Sequence, residues 1–401
     1  MNVVVIAGGL SPERDVSLSS GSMIANALIE NGHNVLLMDI YLGMPGVSNF
    51  SDAYKKNKKE NYEYIVPERE PDLDAVRAAR GGSLQAGDSR GGNEQLIGDG
   101  VIAVCAGADI TFNALHGAIG ENGQIQAVFD IYGIKYTGTG YEGSFLAMDK
   151  PLSKELMRHH GIRTPDWVVL NADGAVCGGC GDIDAAARVG KSPAPAGIGA
   201  AAFGSNRAAS ADIEAAIRDG CRHILDRIGL PCVIKPCSCG SSVGVSIVKS
   251  CGEMEAALKY AFAYEKHIIA EVMVAGREFS VGVLGGDALP PIEIIPRKGF
   301  FDYKNKYQSG ATLEVCPPAD LPPGSEEAMQ GMALKVHEIL RLGDYSRMDL
   351  ILDEAGDIFF LETNTLPGMT PTSLLPKEAA AAGIAYPLLC ERIVNLAKGV
   401  Q

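Results

Sequence analysis

Val3 to Ala7 is an unbroken apolar run, the pattern of a strand buried on both faces of a parallel sheet. Gly8 to Asp15 has the residues of a turn, Ser17 to Glu30 reads as a helix stopped by Asn31-Gly32, and Val35 to Ile40 as a second strand. The order is a β–loop–α–β unit. Residues 42–100 lose this regularity. They hold a charge run at Lys55–Glu60 and a Gly-rich polar stretch from Gly81 to Gly100, which reads as a surface insertion. The pattern returns with a strand over Ile110–Leu115, a helix opened by Gly120-Glu121-Asn122-Gly123, and a strand over Ile134–Thr137.

A second unit begins near Gly138. Asp149 is placed to cap a helix with Lys150-Pro151 in its first turn, and Trp167 to Leu170 reads as a strand. Residues 172–210 are Ala, Gly and Ser without period, a second insertion. A helix is expected over Asp212–Ile228, then a strand ending at Lys235-Pro236, the small-residue loop Cys237–Gly244 and a strand over Val245–Val248. Glu255–Tyr264 reads as helix, and Ile268–Val274, Glu278–Leu284 and Pro291–Pro296 as strands. Phe301–Tyr307 is an aromatic and basic loop that reads as a lid, and Ser325–Leu342 and Tyr386–Lys398 read as helices.

Arg347 to Asn364 reads as a hairpin around Glu354–Asp357. A turn centred between Ala355 and Gly356 sets Asp349 opposite Glu362 and Arg347 opposite Asn364, all on one face. Two carboxylates facing across a ladder repel by roughly 0.2–1 kcal/mol. A cation between them removes that cost, and Asp, Glu and Asn oxygens suit Mg²⁺. A solvated polar face reads equally well from this stretch alone. The Gly/Pro turn that follows, through Ser373, offers N–H groups and a hydroxyl to an anion. Small residues at 237–244 let backbone N–H groups approach a phosphate, with Lys235 supplying charge. Lys150 at a helix start opposes the macrodipole and suits an anion there. Glu13 and His116 share strand-end positions where such folds bind ligands.

Composition narrows the classes. The chain has 401 residues, enough for two or three domains, and a net charge of −14, which argues against nucleic acid or an anionic membrane as partner. The N-terminus lacks a basic region before its apolar run, so it does not read as a signal peptide, and no apolar segment is of spanning length. Ten cysteines in a chain this long read as reduced thiols. Cys177-Gly-Gly-Cys180 has no matching second pair for zinc.

The motifs together resemble the D-alanine–D-alanine ligases of the ATP-grasp superfamily. They are Gly8–Ser17, His116-Gly117 with Gly120–Gly123, Met148-Asp149-Lys150, Val233–Pro236 with Gly240–Gly244, Gly276-Arg277-Glu278, Lys306-Tyr307, Arg347-Met348-Asp349 and Glu362–Thr370. The resemblance covers nearly the whole chain outside the two insertions. It implies an α/β fold, α+β in the ATP-grasp part: a Rossmann-like domain over 1–138 with the insertion 42–100, a central ATP-grasp domain over 139–273 with the insertion 172–210, and a C-terminal ATP-grasp domain over 274–401. It implies a cytoplasmic homodimer that uses ATP and Mg²⁺ (or Mn²⁺), two ions, to join two D-alanines through a D-alanyl phosphate for peptidoglycan synthesis.

By the same resemblance, Asp349, Glu362 and Asn364 match the metal ligands. Lys150, Lys235, Ser241 and Ser242 match phosphate-binding positions, and Glu271 and Glu278 the adenine-side and ribose-side acids. Arg347 and the Gly368 N–H match the oxyanion donors. Glu13, with His116, matches the first-substrate site, and Lys306 with Ser373 the second. Ser241 and Tyr307 match a relay to Glu13. The chain departs from the pattern at Val272, where a lysine or acid is common, and at Cys237 and Cys239, which imply a thiol-sensitive loop. Lys306-Tyr307 favours the dipeptide ligase over relatives of the vancomycin-resistance type that make D-Ala–D-lactate, while a D-Ala–D-Ser ligase or another ATP-grasp carboxylate–amine ligase stays open. A regulator that binds nucleotide without turnover is opposed by the intact Arg347, Asp349, Glu362 and Asn364, and a Rossmann oxidoreductase by the missing dinucleotide fingerprint.

Overall fold

The computed structural model describes residues 1–67, 69–80, 95–172, 176–177, 210–240, 243–296 and 312–399. Ser241, Ser242, Lys306, Tyr307, the rest of the Phe301–Tyr307 loop, Cys180 and most of the 172–210 insertion lie outside these residues. The chain divides into two compact units. One holds 1–83, 95–164 and 275–401, and the other 165–274. Residues 139–164 thus cluster with the N- and C-terminal parts, and Ala147, Met157 and Ile162 join the core of the C-terminal sheet.

The first unit opens with β1 (Asn2–Ala7), α1 (Arg14–Glu30) and β2 (Asn34–Asp39), and β3 (Ile110–Asn113) completes a parallel sheet of order β2-β1-β3. The apolar run Val3–Ala7 is fully buried, as a central parallel strand requires. The expected strand over 134–137 reduces to a single bridge between Thr111 and Tyr136. Residues 42–80 are more than a surface insertion. They form α2 (Phe50–Asn57) and α3 (Leu73–Ala79), and Phe50, Ala53 and Tyr62 are buried. Asn26 on α1 bonds both the Tyr62 N–H and its carbonyl, and the Tyr64 hydroxyl donates to Asp15, so this segment straps α1. Three further short helices, besides α2 and α3, escaped the sequence reading: α4 (Val101–Ala106), α7 (Tyr141–Met148) and α12 (Leu374–Ala381). Each is six to eight residues long, too short to show a helical period. The helical stretch opened by Gly120–Gly123 divides into α5 (Ala118–Glu121) and α6 (Gln124–Tyr132). The cap on α8 (Lys150–His159) forms as expected, with the Asp149 carboxylate accepting the Leu152 N–H at 3.0 Å.

The same unit carries an antiparallel sheet of order β12 (Thr312–Val315), β11 (Ile292–Pro296), β9 (Arg277–Leu284), β13 (Tyr345–Leu352) and β14 (Ile358–Asn364), with β10 (Asp287–Ala288) on β9. Phe279, Val281, Val283, Met348, Leu350, Leu352 and Phe360 point from one face into a core with Met329, Ala333 and Val336 of α11 (Ser325–Ile339) and Met157 of α8. The helices α12 and α13 (Tyr386–Ala397) share a core with β1 and α1, joining the two sheets of this unit.

The second unit is an antiparallel sheet of order β5 (Val176–Cys177), β4 (Trp167–Asn171), β8 (His267–Val272), β6 (Cys232–Pro236) and β7 (Ser246–Val248). Its helices α9 (Ser210–Arg227) and α10 (Cys251–Phe262) cover one face, where Val168, Leu170, Ile234, Ile268 and Ala270 are buried.

Candidate active site

The β13–β14 hairpin builds the centre of the site, by a route the sequence reading did not foresee. The turn is centred on Ala355, because Leu352 pairs with Ile358 and Leu350 with Phe360. That register, continued, would put Glu362 on the face of Phe360, inside the helix-packed core. A one-residue bulge at Leu361 shifts it. Beyond the bulge Asp349 faces Glu362 and Arg347 faces Asn364, the pairing first expected from a different turn. The bulge moves both polar residues to the face opposite Phe360.

On that face, β9 contributes Glu278, Ser280 and Gly282, paired with Ile351, Asp349 and Arg347. Arg347 grips Asp349 with two bonds, Nε to Oδ1 at 3.0 Å and Nη2 to Oδ2 at 3.1 Å. The Ser280 hydroxyl and the Asn364 amide donate to the same carboxylate at 3.0 and 3.1 Å. Asp349 and Arg347 are buried, and Glu362 is partly open with Lys150 Nζ 3.6 Å from its Oε2. Asp349, Glu362 and the Asn364 amide oxygen form a hard, anionic oxygen set of the kind Mg²⁺ takes, and Asp349 would exchange its hold on Arg347 for the ion.

The Gly8–Ser17 loop brings Glu13 to the same unit's site. The Ser11 hydroxyl accepts the Glu13 N–H at 3.0 Å and donates to the His116 carbonyl at 3.1 Å. The Ser17 hydroxyl accepts the Gly8 N–H and donates to the Ala114 carbonyl. A Cβ on Gly117 would lie 2.9 Å from Glu13 Oε2, so the carboxylate rests on a position that requires glycine and has a φ of +81°. Burial, and then the Arg347 charge, push His116 down to about 4, so it is a neutral hydrogen-bonding group, its ring bonded to the Leu366 carbonyl. The turn after Asn364 closes on Ser373, whose hydroxyl accepts the Thr370 N–H at 3.2 Å. A Cβ at Gly368 would come 2.9 Å from that hydroxyl.

Two acids near this site, Glu121 half-buried and Glu378 buried, escaped the sequence reading. Glu121 accepts the Gly117 N–H at 2.9 Å, and burial together with the neighbouring Glu13 raises it well above the usual carboxylate range. Glu378 on α12 is fully buried, and burial raises it to about 8 against the pull of Arg347. Glu378 had a readable signal, since it is an acid three and four residues from Leu375 and Leu374 on an apolar helix face.

In the second unit, Lys235 and Glu271 rise from one face of β6 and β8, and Lys235 Nζ lies 2.8 Å from Glu271 Oε2. Both are buried. Glu265 fastens the start of the small-residue loop by accepting the Ser238 N–H and hydroxyl, each at 2.8 Å. Cys237 is buried against Trp167 and Ile269, whereas Cys239 is partly exposed, so Cys239 is the more open of the two to a thiol reagent.

A three-layered parallel unit, two antiparallel sheets with charged faces and a carboxylate hairpin define an ATP-grasp ligase. The particular family follows from comparison with known proteins. The D-ala D-ala ligase N-terminus family model matches residues 2–139, and the D-ala D-ala ligase C-terminus model residues 195–395. A D-alanine–D-alanine ligase of Pediococcus pentosaceus is 36% identical over 398 residues, covering 98% of this chain and 97% of its own. That of Lacticaseibacillus casei is 37% identical over 399 residues, covering 98% and 95%. The crystal structure of the D-alanine–D-alanine ligase from Bacillus anthracis superposes with a TM-score of 0.63 at 26% identity, covering 100% of this chain and 98% of its own. The chain belongs to the D-alanine–D-alanine ligase family.

Proposed function

We propose that this enzyme joins two D-alanines to D-alanyl-D-alanine with ATP, for peptidoglycan precursor synthesis. The observation that carries the reading is the buried face where Arg347, Asp349, Glu362 and Asn364 meet, in a chain aligned end to end with ligases of that name. No helix among the described residues is long and apolar enough to cross a membrane, and the reading places the enzyme in the cytoplasm, as a homodimer.

In the first step a carboxylate oxygen of D-alanine attacks the γ-phosphorus of ATP, the bond to ADP breaks, and D-alanyl phosphate forms. In the second, the amine of another D-alanine adds to the acyl carbon and loses a proton. The tetrahedral intermediate then expels phosphate. Mg²⁺ held by Asp349, Glu362 and Asn364 would neutralise phosphate charge during transfer. Glu13 holds the first ammonium in a buried site, where an ion pair is strong. His116 lies beside the adjoining carboxylate, its N–H held by the Leu366 carbonyl. Arg347, once released from Asp349, and the Gly368 N–H face the developing oxyanion. Lys150 and Lys235 bind phosphate oxygens, a role the family resemblance extends to Ser241 and Ser242. Glu271 and Glu278 hold the adenine and ribose ends. The family resemblance gives the second carboxylate to Ser373 and Lys306, and a relay role to Tyr307 and Ser241.

The test is phosphate release from Mg·ATP with D-alanine alone, with D-alanine plus D-serine, and with D-alanine plus D-lactate, products identified by mass. Release with D-alanine alone, giving the dipeptide, is expected. A dominant mixed product would place the enzyme with the D-Ala–D-Ser or D-Ala–D-lactate ligases, and no release with any of them would overturn the reading.

A further inference from the structure

Glu378 has no role in the reaction described above, and its setting is unusual. It lies on α12 with none of its surface exposed, and the Gly282 N–H is the one hydrogen-bond donor to its carboxyl among the described residues, outside strict bonding geometry. Its orientation is fixed on both sides. Lys377, next along the helix, pairs with Glu314 on β12, and Leu374, Leu375 and Ala379 are buried around it. The carboxyl presses onto β9 at Gly282, where any Cβ would overlap Glu378 Oε2. Gly282 is the ladder partner of Arg347, and Ser280, two residues back on the same face, is the partner of Asp349. The missing side chain at Gly282 is therefore a notch that admits one carboxyl beside the Arg347–Asp349 pair.

Arg347 has two demands on it. It holds both oxygens of Asp349 in this structure, while the proposed reaction needs Asp349 for the metal and Arg347 for the oxyanion. A buried guanidinium that loses a bidentate partner needs another acceptor. We propose that Glu378 is that acceptor, a positioning residue that holds Arg347 in place when Asp349 turns to the metal. The inference rests on the ligase reading above. The Glu378 carboxyl offers the guanidinium an oxygen acceptor that does not depend on Asp349. The arrangement is economical in space, since an arginine fixed from behind by α12 keeps its free N–H groups toward the substrate.

The experiment compares E378L, E378D and E378Q with the wild type in the Mg·ATP and D-alanine assay, each variant first checked for thermal unfolding. E378L is expected to lower kcat about 10- to 100-fold with the KM for ATP within about twofold of wild type. E378Q, which keeps a carbonyl acceptor at the same reach, is expected to stay within about threefold of the wild-type kcat. The losses in E378L and R347K are expected not to multiply in the double variant, because both act through one guanidinium. Should E378L fail to fold, E378D carries the test: its carboxyl is drawn back from Gly282, and its kcat is expected to fall about tenfold or more. A wild-type kcat in folded E378L or E378D, or losses that multiply with R347K, overturns the inference. An inactive wild type would instead overturn the ligase reading itself.

Discussion

Both antiparallel sheets of this chain bury one face under helices and show charged side chains on the other, but they handle the buried charge differently. On β6 and β8, one lysine meets one glutamate, Lys235 with Glu271, and each answers the other. On β9, β13 and β14, Asp349 is shared among Arg347, Ser280 and Asn364, and a further acid, Glu378, waits behind. A closed pair needs only regular strands, and the register Val233–Glu271 runs unbroken. A shared carboxylate needs more donors than a regular ladder offers, and here a bulge supplies one. The first arrangement suits binding, since a pair can open to a phosphate and close again. The second suits reaction, since partners can be exchanged around Asp349 without exposing a bare charge.

Filling the notch at Gly282 is the harshest way to break the comparison. A Cβ there would overlap both Glu378 Oε2 and Leu375 Cδ1. G282V is expected to cost on the order of 3 kcal/mol of stability, with turnover nearly lost. Urea unfolding and phosphate release measure both. A stable, active variant would mean that the close approach of α12 to β9 does not set the site.

Point variants sharpen the same contrast by the constant they change. R347A is expected to lower kcat about 100- to 1000-fold, with a smaller change in the KM for ATP. K235A is expected to raise the KM for ATP about 10- to 100-fold, with kcat less affected. Steady-state kinetics at saturating D-alanine separates the two. If K235A lost kcat instead, the second sheet would share in the reaction.

Legibility in the sequence follows the same division. Long periodic or continuous runs such as Val3–Ala7, Ser325–Ile339 and the β13–β14 hairpin were readable because burial repeats along them. The four hairpin residues were placed together correctly although the turn was misplaced by half a residue, and only backbone pairing reveals a bulge. Tyr62 and Phe50 were taken for surface because they sit among lysines and glutamates, and their burial depends on α1 and β2, far away in sequence. Glu121 and Glu378 carry no role in the sequence reading, Glu378 because α12 is too short to show a helical period. Only the folded chain shows that Glu13, Gly282 and Arg347 close around them.

The smallest effect expected concerns a half-buried acid that no cation among the described residues answers. Asp344, just before β13, accepts the Gly138 N–H at 2.9 Å, and burial raises it from 3.8 to about 6 although that hydrogen bond works the other way. The folded state therefore binds the Asp344 proton more tightly than the unfolded chain does. Its contribution to stability is full below pH 3.8 and is lost as pH rises through about 6, a loss on the order of 2 kcal/mol. His116 has the opposite sign, since its lowered value makes the fold lose stability as pH falls from 6.5 toward 4. D344N keeps an oxygen for the Gly138 N–H and removes the titration, so the pH 4 to 6 part of its stability profile should fall less steeply than wild type. Urea midpoints at half-unit pH steps measure it. A slope equal to wild type would show that Asp344 keeps its ordinary acidity, and that in the first unit an unpaired carboxyl can be buried without holding its proton.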